Sequence, residues 1–350
     1  MFKTIKRFDI SRSFSFLIVL LFLFASRLDA QTIFVDAVKG HDEAKGTITD
    51  PFASLEKAVA LASGFSGNEP ITIRIYPGLY VLQHKLEIRT DKVSGDTVKY
   101  IIEAVMMPDD PDWQPNSMPV IQSVSANNST TQFTHATGFL VAKNNVRFQG
   151  LKFLGNSNPS VPYYYPITRE NETYAGLEIS QCYFIGEKNS APIQGAVWAH
   201  GAGTKIDHCI FYGCKNALLL FKSIKDFSIT YSIISGAYEA AAWYGGTGND
   251  FEFRNNIITN CNFFWVRAEN TFPTYTFSNS VITDVNEYMG YWSSHGLIRA
   301  EKNSHSETGI RKSGKIMLSE VKTEGLPKDY LNLLPQSDGN ELKAGIFKNE

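Results

Sequence analysis

One ten-residue phrase is written six times between Val146 and Asp284, and nothing else in the chain constrains the fold as strongly. The copies run Val146–Gly155, Leu177–Gly186, Thr204–Gly213, Phe227–Gly236, Phe251–Asn260 and Tyr275–Asp284. Counting each from position 0, position 2 holds Phe148, Ile179, Ile206, Ile229, Phe253 and Phe277, and position 7 holds Phe153, Phe184, Phe211, Ile234, Ile258 and Ile282. Position 9 is glycine four times, then Asn260 and Asp284. The starts lie 31, 27, 23, 24 and 24 residues apart. A period of that length marks stacked structural repeats.

The grammar of the phrase says which repeat it is. Apolar residues at positions 0 and 2 around a polar position 1 give the two-residue period of a short strand. A few small or polar residues follow, then a second apolar pair, then a residue that tolerates positive φ. No stretch sustains helical spacing over ten residues. This predicts an all-β, right-handed, single-stranded parallel β-helix, with coils about 4.8 Å apart and equivalent side chains stacked in ladders. Position 5 (Leu151, Cys182, Cys209, Ser232, Asn256, Ser280) is compact and suits an internal corner. Position 1 includes Arg147, Glu178 and Lys205, which reads as a solvated charge ladder.

Composition narrows the class. The chain is 43% hydrophobic and 19% charged, as expected of a folded protein. Residues 1–30 read as a secretory signal peptide: Lys3, Lys6, Arg7 and Arg12 precede an apolar run from Phe14 to Ala25, and Ala30 supplies a small residue at the cut. That run is too short to span a bilayer as a helix. Removing the leader takes away five cations and two anions and moves the formal charge from −2 to −5. A mildly acidic exported protein without a basic tail is a poor nucleic-acid binder. The expected domains are the leader 1–30, a β-helix domain 31–300 and a C-terminal closing segment 301–350. Of the four cysteines, Cys182 and Cys209 share position 5 in adjacent coils and read as stacked thiols, and no zinc spacing occurs. No cofactor is implied, and calcium has no motif to support it.

The N-terminal region adds a likeness. Phe34-Val35-Asp36, Gly40-His41-Asp42, Gly46-Thr47, Pro51-Phe52, Ser54 to Ala58 and the run Ile73 to Tyr80 resemble the entry to the secreted right-handed β-helix proteins of the pectate-lyase-like superfamily. The resemblance covers about Thr32 to Trp292. It implies a short helix capping the first coil, and Ser54 as N-cap with Phe52, Leu55 and Val59 on one apolar face agrees with that. It also implies a substrate groove along one parallel sheet. The superfamily holds lyases, hydrolases and non-enzymatic modules, so activity does not follow from fold. The N-T-D, G-D-D and G-H-G set of polygalacturonases is absent, as are the calcium pectate lyase signatures, and no catalytic residue carries over.

Candidate chemistry lies between the phrases, on the remaining strand of each coil. Aligning Ala217–Lys222, Ala240–Gly245, Phe264–Glu269 and Tyr288–Ser293 places Leu219, Ala242, Val266 and Gly290 inward, and Leu220, Trp243, Arg267 and Tyr291 outward. Trp265 joins the outward face in this reading, with Trp198 and His200 one coil earlier and Lys143 before that. Trp243, Trp265, Tyr291 and Trp198 are candidate sugar-stacking residues. A polysaccharide lyase would use Arg267 or Lys222 against a uronate carboxylate and Lys222, His200 or Lys143 as the base. A glycoside hydrolase would need two carboxylates from Glu239, Asp250 and Glu269. A non-catalytic carbohydrate-binding or adhesion β-helix is the third class. Cations outnumber carboxylates on this face, which favours a lyase acting on an acidic polysaccharide.

Overall fold

In the computed structural model the described residues are 31–65, 67–89, 97–246, 251–271, 274–301, 304–319 and 331–348. The leader 1–30 and Asp250 lie outside them. Each coil contributes strands to three parallel sheets. Positions 0 to 3 of the phrase build the first sheet, where Leu177 pairs with Val146 and with Thr204 in the next coil. Positions 6 to 8 build the second, with Phe184 between Phe153 and Phe211. The third comprises Leu86–Ile88, Ala136–Val141, Tyr164–Arg169, Val197–Ala199, Asn216–Leu220 and Ala240–Tyr244, then parts of the long strands Ile257–Ala268 and Thr274–Ser293. The last of these is followed by an antiparallel strand, Gly296–Arg299.

Ladders fill the interior. The rings of Phe153, Phe184 and Phe211 stack at 4.8 and 4.9 Å and within 8° of parallel. Position 5 carries the corner between the first and second sheets through its side chains. Ser232 Oγ accepts the Cys209 N–H at 3.1 Å, Asn256 Oδ1 accepts the Ser232 N–H at 3.0 Å, and Ser280 Oγ accepts the Asn256 N–H at 3.0 Å. Each side chain thus replaces the ladder partner that the turning backbone cannot offer. One step earlier, position 4 adopts the left-handed conformation in all six copies: Gly150, Gln181, His208, Tyr231, Asn255 and Asn279 have φ between 41° and 70°. All four cysteines are buried free thiols.

Outward surfaces differ by sheet. On the first, Arg147 Nε meets Glu178 at 2.6 Å and Lys99 meets the same carboxylate at 3.1 Å. On the second, position 6 is apolar in five of six copies, and Tyr183, Ile210, Ile233, Ile257 and Val281 are covered by Leu331, Leu342 and Ile346. The C-terminal segment therefore runs along the side of the helix. At the other end, the helix Leu55–Ser63 begins with Ser54 accepting the Lys57 N–H and buries Leu55, Ala58, Val59 and Ala62 against the core. No helix among the described residues is long and apolar enough to cross a membrane.

The corner ladder is testable. Ser232→Ala strands the buried Cys209 N–H and should cost about 1–3 kcal/mol. Phe184→Ala opens a void between two stacked rings and should cost about 3–5 kcal/mol. Denaturant midpoints with unchanged m-values measure both, and a Ser232→Ala variant as stable as the parent would remove the corner role.

Candidate functional site

On the third sheet, pairing sets which side chains face out. Trp198 pairs with Leu219, Leu219 with Trp243, Trp243 with Val266 and Val266 with Gly290. This is the outward column. Val197, Leu218, Ala242, Trp265 and Met289 form the inward one and belong to the main core. The sequence alignment was thus one residue out of register in most coils. In Ile257–Ala268 the consecutive residues Phe264 and Trp265 both point into the core, which breaks the strict alternation on which the alignment relied.

Four candidates move as a result. Trp265 is 0% exposed and packs among Tyr244, Phe251, Tyr275 and Phe277, so it is a core residue. Arg267 is 4% exposed, with its guanidinium 5.0 Å from the centre of the Tyr291 ring. Arg267, Tyr291 and the exposed Glu269 border a separate depression of about 220 Å³ with Arg299 and Glu301. Lys143 is also structural: its ammonium donates to the carbonyls of Val98 and Asn144 at 2.6 Å.

The others converge. A groove of about 1000 Å³ lies over the outward column, lined by Trp198, Trp243, His200, Lys222 and Glu239. Tyr163 and Tyr165 join it, from the run Tyr163–Tyr165 that the sequence offers either as a groove edge or as cover for the helix. Gln132, Phe133, Asn216 and Phe221, which the repeat does not single out, complete it with Trp292 at one edge. Of these, Phe133, Tyr163, Phe221 and Trp292 are exposed aromatics, Trp292 at 56%. Phe221 and Trp292 were legible as aromatic residues of the right strands. Gln132, Phe133 and Tyr163 come from the polar insertions 127–137 and 156–173, whose path the repeat does not dictate.

Polar groups hold fixed positions along two sides. Asn216 donates to Glu239 Oε2 at 2.7 Å and accepts from the Trp243 indole N–H at 2.9 Å, which locks that ring. Lys215 completes the set with an ion pair to Glu239 at 3.3 Å. Across the groove, the Lys222 backbone N–H donates to His200 Nδ1 at 3.3 Å, and the Gln132 side chain lies 3.2 Å from Nε2. Nδ1 is therefore an acceptor, and the Gln132 atom nearest Nε2 is its amide nitrogen. Burial first, then the neighbouring Lys222 charge, pushes His200 down to about 4. Below the groove, burial raises the Glu170 carboxyl, but hydrogen bonds from His135, Thr131 and Ser129 outweigh it and hold the group below its usual range. Burial, helped by Tyr163 and Glu239, pushes the Tyr165 hydroxyl up and keeps it neutral.

The His200 environment has a sign. Between the ordinary 6.5 and about 4 the unfolded chain binds the proton that the folded one refuses, so this group removes stability as pH falls through that interval. A His200→Asn variant should lose less stability than the parent over the same interval in paired denaturation curves. Parallel curves would show that the ring titrates normally.

Comparison with known proteins agrees with the architecture. The family model for a right handed beta helix region matches residues 121–282. No curated protein sequence matches. Among solved structures, a rhamnogalacturonan lyase is similar at 14% identity and a TM-score of 0.39, over 84% of this chain and 64% of that one, so the chain spans less than two thirds of that enzyme. Pectin methylesterase PemA from Erwinia chrysanthemi is similar at 10% identity and a TM-score of 0.35, over 83% and 91% of the two chains. Pectate lyase Pel9A is similar at 16% identity and a TM-score of 0.34, over 81% and 76%. Likenesses of this size say nothing about chemistry. Repeat, sheet pairing and family model agree on the fold, a right-handed parallel β-helix.

Proposed function

We propose that the protein is an exported, carbohydrate-active β-helix that takes an acidic polysaccharide into the groove over its third sheet and cleaves it as a lyase. The observation that carries this reading is the convergence of Phe133, Tyr163, Phe221, Trp243 and Trp292 on one groove with charged groups on its sides. Sugar rings present C–H faces that stack on aromatic rings, while fixed donors and acceptors orient their hydroxyls. Lys222 is exposed at the groove and has no ion pair among the described residues, so it is the group placed to meet a uronate. In the elimination, Lys222, after its ammonium gives up a proton to solvent, removes the proton α to the carboxylate. The electron pair becomes the new double bond, the glycosidic C–O bond breaks, and the ammonium returns a proton to the leaving oxygen. His200 is unsuited to be the base, because both ring nitrogens are engaged, Nδ1 by the Lys222 N–H and Nε2 by the Gln132 amide. Two-carboxylate hydrolysis finds only Glu239 among the described lining residues. The same reading takes residues 1–30 as the export signal and the helix Leu55–Ser63 as the cap on the first coil.

Two observations favour a second reading, binding without turnover: Glu239 is tied to Lys215 and Asn216, and His200 to Lys222 and Gln132. Uronate polysaccharides incubated with the purified protein separate the classes. A lyase generates ultraviolet absorbance from the unsaturated product, and Lys222→Ala should lower that rate at least about 100-fold. Trp243→Ala should weaken binding about tenfold. New reducing ends without absorbance would indicate a hydrolase, and retention without product a binding module.

A further inference from the structure

The groove is short along the helix axis. Its outward column runs Thr168, Trp198, Leu219, Trp243, Val266, Gly290, yet only Trp198, Leu219 and Trp243 line the cavity. The reason differs at the two ends. Toward the N-terminus, the Phe133 ring lies over Trp198, 6.0 Å between centres and 13° from parallel, and meets the Tyr163 ring edge-on at 5.5 Å. Trp198 is left 2% exposed and Thr168 0%. The loop that carries Phe133 has a fixed base. His135, itself 0% exposed, joins Glu170 at 3.3 Å and the Phe133 carbonyl at 2.8 Å, and Ser129 donates to the same Glu170 oxygen at 3.1 Å. Ser129 and His135 also pair through their backbones.

Toward the C-terminus, Phe263 closes the column. A Cβ added at Gly290 would come within 2.6 Å of its ring, so the ring occupies the space over that glycine. Val266 is 0% exposed in one cluster with Phe263, against which Leu297 of the antiparallel strand packs. Trp292 then reaches back to within 6.1 Å of Trp243. Glu239 with Asn216, and His200 with Lys222, occupy the remaining two sides.

We infer that the groove accepts the end of a saccharide chain or a short oligosaccharide, and excludes the interior of a long chain. Resting on the carbohydrate reading above, this adds its mode. From Trp198 to Trp243 is two coil steps, about 10 Å, so the groove holds only a few sugar rings. Phe133 and Tyr163 form the wall that sets this length on one side, Phe263 and Trp292 on the other.

Size-fractionated oligogalacturonates, oligomannuronates and hyaluronan fragments of two to eight sugar units, titrated calorimetrically, test the inference. Affinity in the series that binds should climb to about three units and change less than about threefold beyond. A gain of tenfold or more between three and eight units overturns the closed groove and leaves the carbohydrate reading standing. No binding in any series overturns both. Phe133→Ala, at an exposed position, should move the plateau to longer chains. If its thermal transition matches the parent and the plateau stays put, Phe133 is not the wall.

Discussion

Vertical register between coils is the constraint on which everything else depends. A parallel β-helix shares its backbone hydrogen bonds with the coils above and below, so a corner can turn only where the chain supplies another partner for each displaced N–H. Here the corner between the first two sheets is built twice over. The left-handed residue at position 4 makes the bend, and the hydroxyl or amide at position 5 receives the N–H of the coil before it. Tyr231 and His208 hold a conformation that normally favours glycine, and their rings stack at 4.7 Å and 9° with His208 buried. Corners that share the left-handed residue at position 4 keep the phenylalanine and isoleucine ladders in register.

That regularity makes departures from it meaningful. The second sheet exposes an apolar row at position 6, and the C-terminal segment covers it, tied down where Gln181 donates to the Ile346 carbonyl at 2.8 Å and Lys348 meets Asp207 at 3.1 Å. Bonds from His208 and Lys348 overcome the burial of Asp207 and hold its carboxyl well below the usual range. The third sheet carries aromatics outward with no such segment over its middle, and the polar groups beside them are already paired to one another. Preformed, oriented side chains of this kind favour recognition, since little remains to be ordered when a ligand arrives.

Legibility followed the same division. Positions 2 and 7 could be read because each does one job in every coil, and position 5 because a compact residue fills the same corner throughout, apart from Leu151. The third strand could not be aligned, because the connection from position 9 varies in length and Phe264 and Trp265 turn inward together. A one-residue slip exchanges the two faces of a strand, so Trp265 and Arg267 were read as groove residues while Leu219 and Gly290 were read as core. Trp243 and Trp198 fell on the groove side despite this.

The sequence by itself determined the solenoid, its period and its ladders, because those follow from local alternation repeated at a nearly regular spacing. Only the tertiary structure decided the groove. Its walls come from Phe133 and Tyr163, on insertions with no periodic signal, and from Phe263, whose ring needs a glycine a full coil away at position 290. Contacts between residues so far apart in the chain depend on how loops fold back over a finished sheet, and no local pattern encodes that.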